Sequence, residues 1–580
     1  MSVYSFPPRQ RVTLTIRPAA SAKLIGCSSS KGICEMSLRR SLQALLRVLA
    51  WAGVGGLLLR VAPAATIVWD GTGTSWNVLS SWSQVSNSTT PDPAAKPGAN
   101  DTAAFNIETV NSRQDPLMAG PQSVRGLVFS SLGHIRLVGS VGGLTPTELT
   151  VGLGGIFSSG ANIHETAEDV VINLAGAQTW TSGGVLGDVE LIVNGPVNMG
   201  SNRLTLDGSS ATVLFGPLSG TGGVTKQGSG TLSLSSSNSF TGDLSILGGT
   251  VGLFDNGALN ATTPVAVTFG ASGTLGLYGR SVVVSGLTTA PGSTSAIVEN
   301  GSSTNVATLT VAVSAATPNA FAGVIRDNIA PLNLKKTGAG VLTLSGNNTY
   351  TGATTVEQGT LTVDGSLARG VLVKSGAILA GVGTIGQTVI VEAGGTLAPG
   401  NFTGEMTLGT LTMNAGATLA LEIGGMLAGA QHDRLESAGS LAFDGTLRVS
   451  LIGGFMPSAG QSFDLFDWNF QLGRFDVLDL PALTPGLAWN TSQLYHTGNL
   501  LVGYAGDFDF DGDVDGADFL AWQRGESANP LSAADLDAWK ANFGAPASSF
   551  PAAAAVPEPT TVALLLMAAA GAILRQRSAA

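Results

Sequence analysis

From Val341 the chain alternates apolar and polar side chains, with Leu342 and Leu344 on one side of an extended segment and Thr343 and Ser345 on the other. Gly346, Asn347 and Asn348 then supply a turn, because Gly and Asn tolerate positive φ. A second strand is predicted at 354–356, and the run from Gln358 to Val363 begins a third. The same grammar occurs earlier. The stretch from Val224 aligns with the stretch from Leu334, matching Lys226 with Lys336, Leu232 with Leu342, Leu234 with Leu344, Asn238 with Asn348, Thr241 with Thr351, Gly242 with Gly352 and Gly249 with Gly359. Weaker echoes lie at 176–180 and 394–401. Strands with a single apolar face need neighbours to cover it, so self-similar units of this kind predict stacking. The expected fold is all-β, a solenoid whose inward Leu, Val and Ile fill a narrow core. A set of β-sandwiches is the alternative that short strands and Gly turns also allow.

Composition supports strands over helices. Only 12% of the 580 residues are charged, 79 are Gly and aromatics make up 6%, which leaves few of the residues that sustain exposed helices. Nine basic residues and one acidic residue precede position 65, and without them 19 basic and 38 acidic residues remain. An acidic chain of this kind argues against nucleic acid as a partner, since phosphates demand Lys and Arg patches. Cys27 and Cys34 both lie in that same leader, so the remainder has no disulfide to rely on.

The two ends read as addresses. Residues 1–65 hold Arg39 and Arg40, an apolar run from Leu42 to Leu59 and small residues near Ala64 and Ala65, the layout of a secretory signal peptide, with Met36 an alternative start. At 546–580, Val556, Pro557, Glu558 and Pro559 precede an apolar stretch and the basic pair Arg575 and Arg577. This resembles the PEP-CTERM sorting signal. The resemblance implies a C-terminal transmembrane helix, a membrane-embedded exosortase-type processing enzyme as partner, and a product at the cell surface or in the extracellular matrix, anchored to the membrane only transiently.

The repeats resemble the autotransporter-associated β-strand repeat in their lysine, G-x-G, L-x-L, N-x-[YF]-T-G and G-x-L positions. That resemblance implies a right-handed parallel β-helix over 66–505. Autotransporters of that type end in an outer-membrane barrel, and the residues after 505 show no series of alternating strands of the kind a barrel needs. Trp69, Trp76 and Trp82 read as a capping rung.

Residues 506–545 carry the strongest chemical motif. Asp507, Asp509, Asp511, Asp513, Asp515 and Asp518 occupy positions 1, 3, 5, 7, 9 and 12 of a calcium loop, with Gly512 at the sharp turn and Val514 as apolar anchor. Asp513 is expected to offer its backbone carbonyl and keep its side chain outside. Carboxylates at this density repel one another unless a divalent cation neutralises them. The stretch around Asp518 and Trp522 is echoed around Asp535 and Trp539, so the segment resembles a dockerin, and the resemblance implies a cohesin-like partner. The second loop departs from the pattern, with Arg524, Glu526, Ala528, Pro530 and Ser532 at the ligand positions. One Ca2+ site is therefore expected.

Catalytic signals are sparse. His134, His164, His432 and His496 show no metal-ligand spacing, and Asp169, Asp188 and Glu190 form only a loose group. The chain is accordingly expected not to be an enzyme, but a structural or adhesive surface protein. The alternatives are a β-helix that binds or cleaves polysaccharide, the cell-surface glycan then being its partner, and a scaffold component docking through 506–545.

Overall fold

A computed structural model describes residues 64–546, except 107–111, 144, 160–161, 185–188, 317–318 and 528. The chain divides into two units, Met1–Ala62 and Pro63–Ala580, and all described residues belong to the second. The predicted signal peptide, but for Ala64 and Ala65, and the predicted PEP-CTERM-like tail, with Val556 to Pro559, Arg575 and Arg577, lie outside the described residues. Among those described, no helix is long and apolar enough to cross a membrane.

Almost every element is a strand, and nearly all pairings are parallel. Fourteen- and nine-stranded sheets form the first half, eleven- and eight-stranded sheets the second, and a three-stranded antiparallel sheet follows. Registers advance by about twenty residues per coil: Val224 lies opposite Leu244, Leu244 opposite Val267, and Val267 opposite Leu287. The facing sheet runs Leu232, Val251, Leu275, Val298. These inward residues are fully buried, each contributing roughly 1.5–3 kcal/mol of transfer free energy. Parallel stacking of successive coils is consistent with a β-helix solenoid, and it removes the sandwich alternative, whose sheets are antiparallel.

The alternation read at 341–345 appears as strand Val341–Leu344, with Leu342 and Leu344 buried and Val341 exposed. The predicted strands at 354–356 and after Gln358 appear as Thr354–Val356 and Gly359–Val363. Gly359 and its counterpart Gly249 have φ of 66° and 65°. A Cβ at Gly359 would lie 2.5 Å from the carbonyl oxygens of Gly338 and Gly340 in the coil before, so both conformation and space require glycine there.

The repeat asparagine has a different role from the one the sequence suggested. Asn348 is buried in a short strand rather than at positive φ. Its Oδ1 accepts from Ile325 N at 2.9 Å while its Nδ2 donates to Gly346 O at 2.9 Å and Ser366 O at 3.2 Å. Asn238 joins Leu218 N and Ala258 O, both at 2.7 Å. Each amide thus ties one coil to the coils on either side.

The repeat lysine is also internal. Lys336 is fully buried and donates to Thr337 O, Gly338 O and Gln358 O at 2.9, 2.8 and 3.0 Å. Lys226 donates to Gln227 O and to Gly228 O. Burial pushes both ammonium groups down to about 8.

At the first coils, Trp69, Trp76 and Trp82 are buried against Phe105, with Trp82 edge-on to both other indoles at 5.1 and 4.9 Å. Their faces are turned into the core. The last strand of the three-stranded sheet, Asn499–Tyr504, leads directly into the acidic loop.

Candidate metal centre

The loop begins where Tyr504 leaves the sheet, and two short helices follow, α1 at Gly516–Gln523 and α2 at Ala533–Asn542. Asp515 caps α1, accepting from Ala517 N at 2.7 Å, while Asp518 reaches back to Asp515 N at 2.8 Å, a reciprocal capping box. Gly512 takes the turn at φ 100°.

The six aspartates fall into two groups. Asp507, Asp509 and Asp511 place oxygens within 4.8 Å of one another, as do Asp513, Asp515 and Asp518. Oxygens bound to one calcium at about 2.3–2.6 Å lie no more than roughly 5 Å apart, so the first group has the span of a shared ligand shell. Asp507 is the central member. Its Oδ2 accepts from Gly512 N at 3.1 Å, whereas its Oδ1 is buried with no hydrogen-bond partner. Burial first, and then the nearby Asp518 carboxylate, pushes the Asp507 carboxyl up to about 7. Asp509 is raised by burial and by Asp518 and Asp511. A buried, unpartnered carboxylate oxygen beside two more acids fits a divalent cation.

Asp518 is fully buried and turned to the backbone, accepting from Phe508 N at 2.6 Å and Asp509 N at 3.2 Å as well as from Asp515 N. The structure therefore does not gather all six carboxylates into one group. Asp513 stands closer in than the sequence suggested, with Oδ1 covered and its carboxyl raised by burial and by Asp511 and Asp515.

Val514 is fully buried and its carbonyl accepts from Gly544 N at 2.8 Å, tying the loop to the end of α2. Phe519 stacks on Trp522 at 5.6 Å and meets Trp539 at 4.9 Å. Trp539 Nε1 donates to Asp515 O at 2.6 Å, a closure of the loop that sequence reading did not identify, although the echo of Trp522 in Trp539 was the available signal. The second loop closes on itself: Asp535 accepts from Asn529 N at 2.8 Å, and Trp522 Nε1 donates to Ser532 O at 3.0 Å. Despite burial, hydrogen bonds from Asn529, Ser527 and Ser532 hold the Asp535 carboxyl below the usual range.

The module packs on the three-stranded sheet. Asn542 Nδ2 donates to Ala505 O at 2.8 Å, and a Cβ at Gly506 would lie 2.6 Å from Trp539 Cα. A cavity of about 240 Å³ remains between them, lined by Trp489, Tyr504, Asp507, Phe510, Glu526 and Asp535 among others.

Asp169, His164, His432 and Asp433 are each engaged by groups of the fold. Asp169 accepts from Gly139 N and from Ser140 N and Oγ. His432 sits between Gly425 O at 3.0 Å and Asp464 O at 3.2 Å, and the adjacent Asp433 accepts from Gly404 N and Glu422 N. Burial pushes Asp433 up to about 7. His164 is stacked on Phe129 in the core. Asp188 lies outside the described residues.

The family model for the passenger-associated-transport-repeat matches residues 224–253 and 334–363. An extracellular serine protease of Serratia marcescens is 36% identical over 119 residues, 20% of this chain and 11% of that protein. The adhesin BmaC autotransporter of Brucella suis biovar 1 is 45% identical over 73 residues, 12% of this chain and 2% of its own length. A further extracellular serine protease match from Serratia marcescens is 49% identical over 53 residues, 9% of this chain and 5% of that protein. The chain thus spans about a tenth or less of the length of these relatives. They correct one expectation. The chain was read as a non-enzyme, but two of the matched segments belong to proteins named as extracellular serine proteases, and that expectation is withdrawn.

Proposed function

We propose that this chain is an exported surface protein whose right-handed β-solenoid passenger serves a structural or adhesive role, and whose acidic loop holds one calcium ion. The observation that carries the reading is that both stretches matching the passenger repeat form consecutive parallel coils, tied coil to coil by Asn238, Asn348 and Lys336. Such a scaffold gains stability from neighbouring coils alone and presents a long rigid face. The similarity to an adhesin autotransporter supports the surface role.

Asp507, Asp509 and Asp511 would hold the ion, with Asp515 and Asp518 completing the shell and Asp513 contributing its carbonyl. The cation supplies the charge neutralisation that lets these carboxylates converge. The pattern at Val556 to Pro559, Arg575 and Arg577 supports processing by an exosortase-type enzyme, with the apolar stretch as a transient membrane anchor. The second loop's lost ligands weaken the case for a cohesin-like partner.

Titration calorimetry on the purified chain is the test. One calcium equivalent is expected, lost in Asp507→Ala. Two equivalents, or no heat at about millimolar calcium, the weak end of extracellular sites, would remove the single-site reading.

A further inference from the structure

The outward face of the nine-stranded sheet carries an aromatic column that the solenoid does not need for its core. Leu214, Leu234 and Leu253 are register partners pointing inward. The residues that follow them, Phe215, Ser235 and Phe254, therefore stand one above another on the outside, and the next coil adds Tyr278. Phe215 is 50% exposed and Phe254 37% exposed. The rings of Phe254 and Tyr278 stack with centroids 4.4 Å apart and planes 23° from parallel.

The backbone is shaped to seat these rings. Gly252 and Gly276 are register partners on adjacent coils. A Cβ at Gly252 would lie 2.9 Å from the Phe254 ring and 3.0 Å from the Tyr278 ring. At Gly276 and at Gly301 it would lie 2.7 Å from the Tyr278 ring. Three glycines on three coils are thus vacated for two side chains. Tyr278 itself has φ 46°, a conformation disfavoured for a non-glycine residue that persists where the surroundings enforce it.

The neighbouring outward positions are uncharged: Thr231, Ser233, Thr250 and Thr274 bear hydroxyls, with Val213 and Ile297 at the same positions on the flanking coils. Charge enters on the next coil, where Glu299 is the register partner of Gly276, and beside Phe254 at Asp255. Asp255 is engaged by Ser237 Oγ and Gly257 N, and Glu299 is paired with Arg326 at 2.6 Å. Arg280 Nε, beside Tyr278, has no hydrogen-bond partner. Successive coils lie about 4.8 Å apart, so Phe215 and Phe254 are separated by roughly 9.6 Å along the stack.

From this arrangement we infer that the Phe215–Phe254–Tyr278 column is a binding platform for a neutral glycan. Pyranose rings offer flat C–H faces that cover an aromatic ring and a fringe of hydroxyls that pair with Thr and Ser, which is the combination present here. Asp255 and Glu299 flank the column and Arg326 is already paired with Glu299, which leaves an acidic glycan one cation, Arg280, against two carboxylates. A peptide strand finds no free sheet edge, because each of these strands is hydrogen-bonded on both sides. The site lies on coils remote in sequence from the acidic loop and does not depend on calcium.

The test is retention of the purified chain in affinity gels containing β-1,3-glucan, xyloglucan, galactomannan or polygalacturonate, with and without chelator. Retention by at least one neutral glycan is expected, undiminished by chelator and at least tenfold weaker in Phe254→Ser and in Tyr278→Asn. Asn accepts the left-handed conformation, so the second variant removes the ring without straining the fold, and unchanged far-UV spectra and melting confirm this. No retention by any neutral gel overturns the inference, as does equal retention of both variants or stronger retention by polygalacturonate. Retention abolished by chelator but unaffected by Phe254→Ser would assign binding to the acidic module instead.

Discussion

In the coils at 224–253 and 334–363 the recurring buried polar side chains end on the protein's own backbone; in the loop at 507–518 a central one does so through only one of its two oxygens. Lys336 meets three carbonyls and Asn348 fills donor and acceptor positions on three segments. Asp507, buried to a similar degree, leaves Oδ1 without a partner. A stack of coils is closed by repetition, since each coil is the ligand of the next. The loop has no next coil, and its carboxylates repel one another until something from outside enters. Stability should accordingly be intrinsic in one region and conditional in the other.

Removing calcium is the strongest way to separate them. With chelator, residues 506–545 are expected to lose their ordered packing, seen as a red shift of Trp522 and Trp539 emission and loss of amide protection, while protection across 224–363 stays unchanged. Asp507→Ala should give the same result at saturating calcium. Loss of protection throughout the coils would show that the two regions are one cooperative unit.

The reverse perturbation is Leu342→Ala. Leu342 is fully buried between Asn319 and Leu361 in the stack, and deletion of such a side chain typically costs about 2–5 kcal/mol. A lower denaturation midpoint for the coils, with calcium affinity of the loop unaltered, is expected. A change in calcium affinity would break the comparison.

Sequence pattern exposed the coils better than it exposed their clamps. Alternation at Leu342 and Leu344 defines an inward face whatever surrounds it, and the matched repeats state that the face is covered by neighbours. Asn348 was legible as a repeat position but not as a buried bridge, because a turn and a clamp favour the same residue type and only the adjacent coil distinguishes them. Lys336 looks like an ordinary surface cation until three carbonyls from two coils are placed around it. In the acidic loop, spacing picked out the aspartates as candidates, but spacing alone does not reveal that Asp518 is turned to amides of Phe508 and Asp509. The Phe254–Tyr278 pair carries no sequence signal at all, because it is assembled by glycines on three coils.

The clamps themselves give a smaller effect. Lys336→Met keeps the aliphatic stem and removes the donor from three carbonyls, whereas Lys226→Met frees two. Unsatisfied buried acceptors cost roughly 1–3 kcal/mol, so both variants should melt earlier and Lys336→Met should suffer more. Equal melting of wild type and both variants would mean that solvent reaches these carbonyls.

The subtlest separation is by pH, because the two regions titrate in opposite senses. Burial lowers Lys226 and Lys336 from 10.5 to about 8. Between these limits the unfolded chain holds more protons than the folded coils, so coil stability should rise as pH climbs from about 8 to 10.5 and fall back as pH drops through about 8. Asp507 is raised from 3.8 to about 7, so in calcium-free protein the folded loop holds the extra proton, and its contribution is present at low pH and lost as pH rises through about 7. Calcium reverses the preference at that carboxyl, since the ion requires the ionised form. Its apparent affinity should therefore weaken as pH falls below about 7, while the coils, with no such ligand, show no change in that window from their lysines. Calcium titrations at about pH 5.5 and pH 8, paired with denaturant melts of the coils at about pH 8 and pH 10, measure both slopes on one protein. A calcium affinity independent of pH would place the ion away from Asp507, and a flat coil profile above about pH 8 would mean that the carbonyls around Lys336 hold its proton against burial.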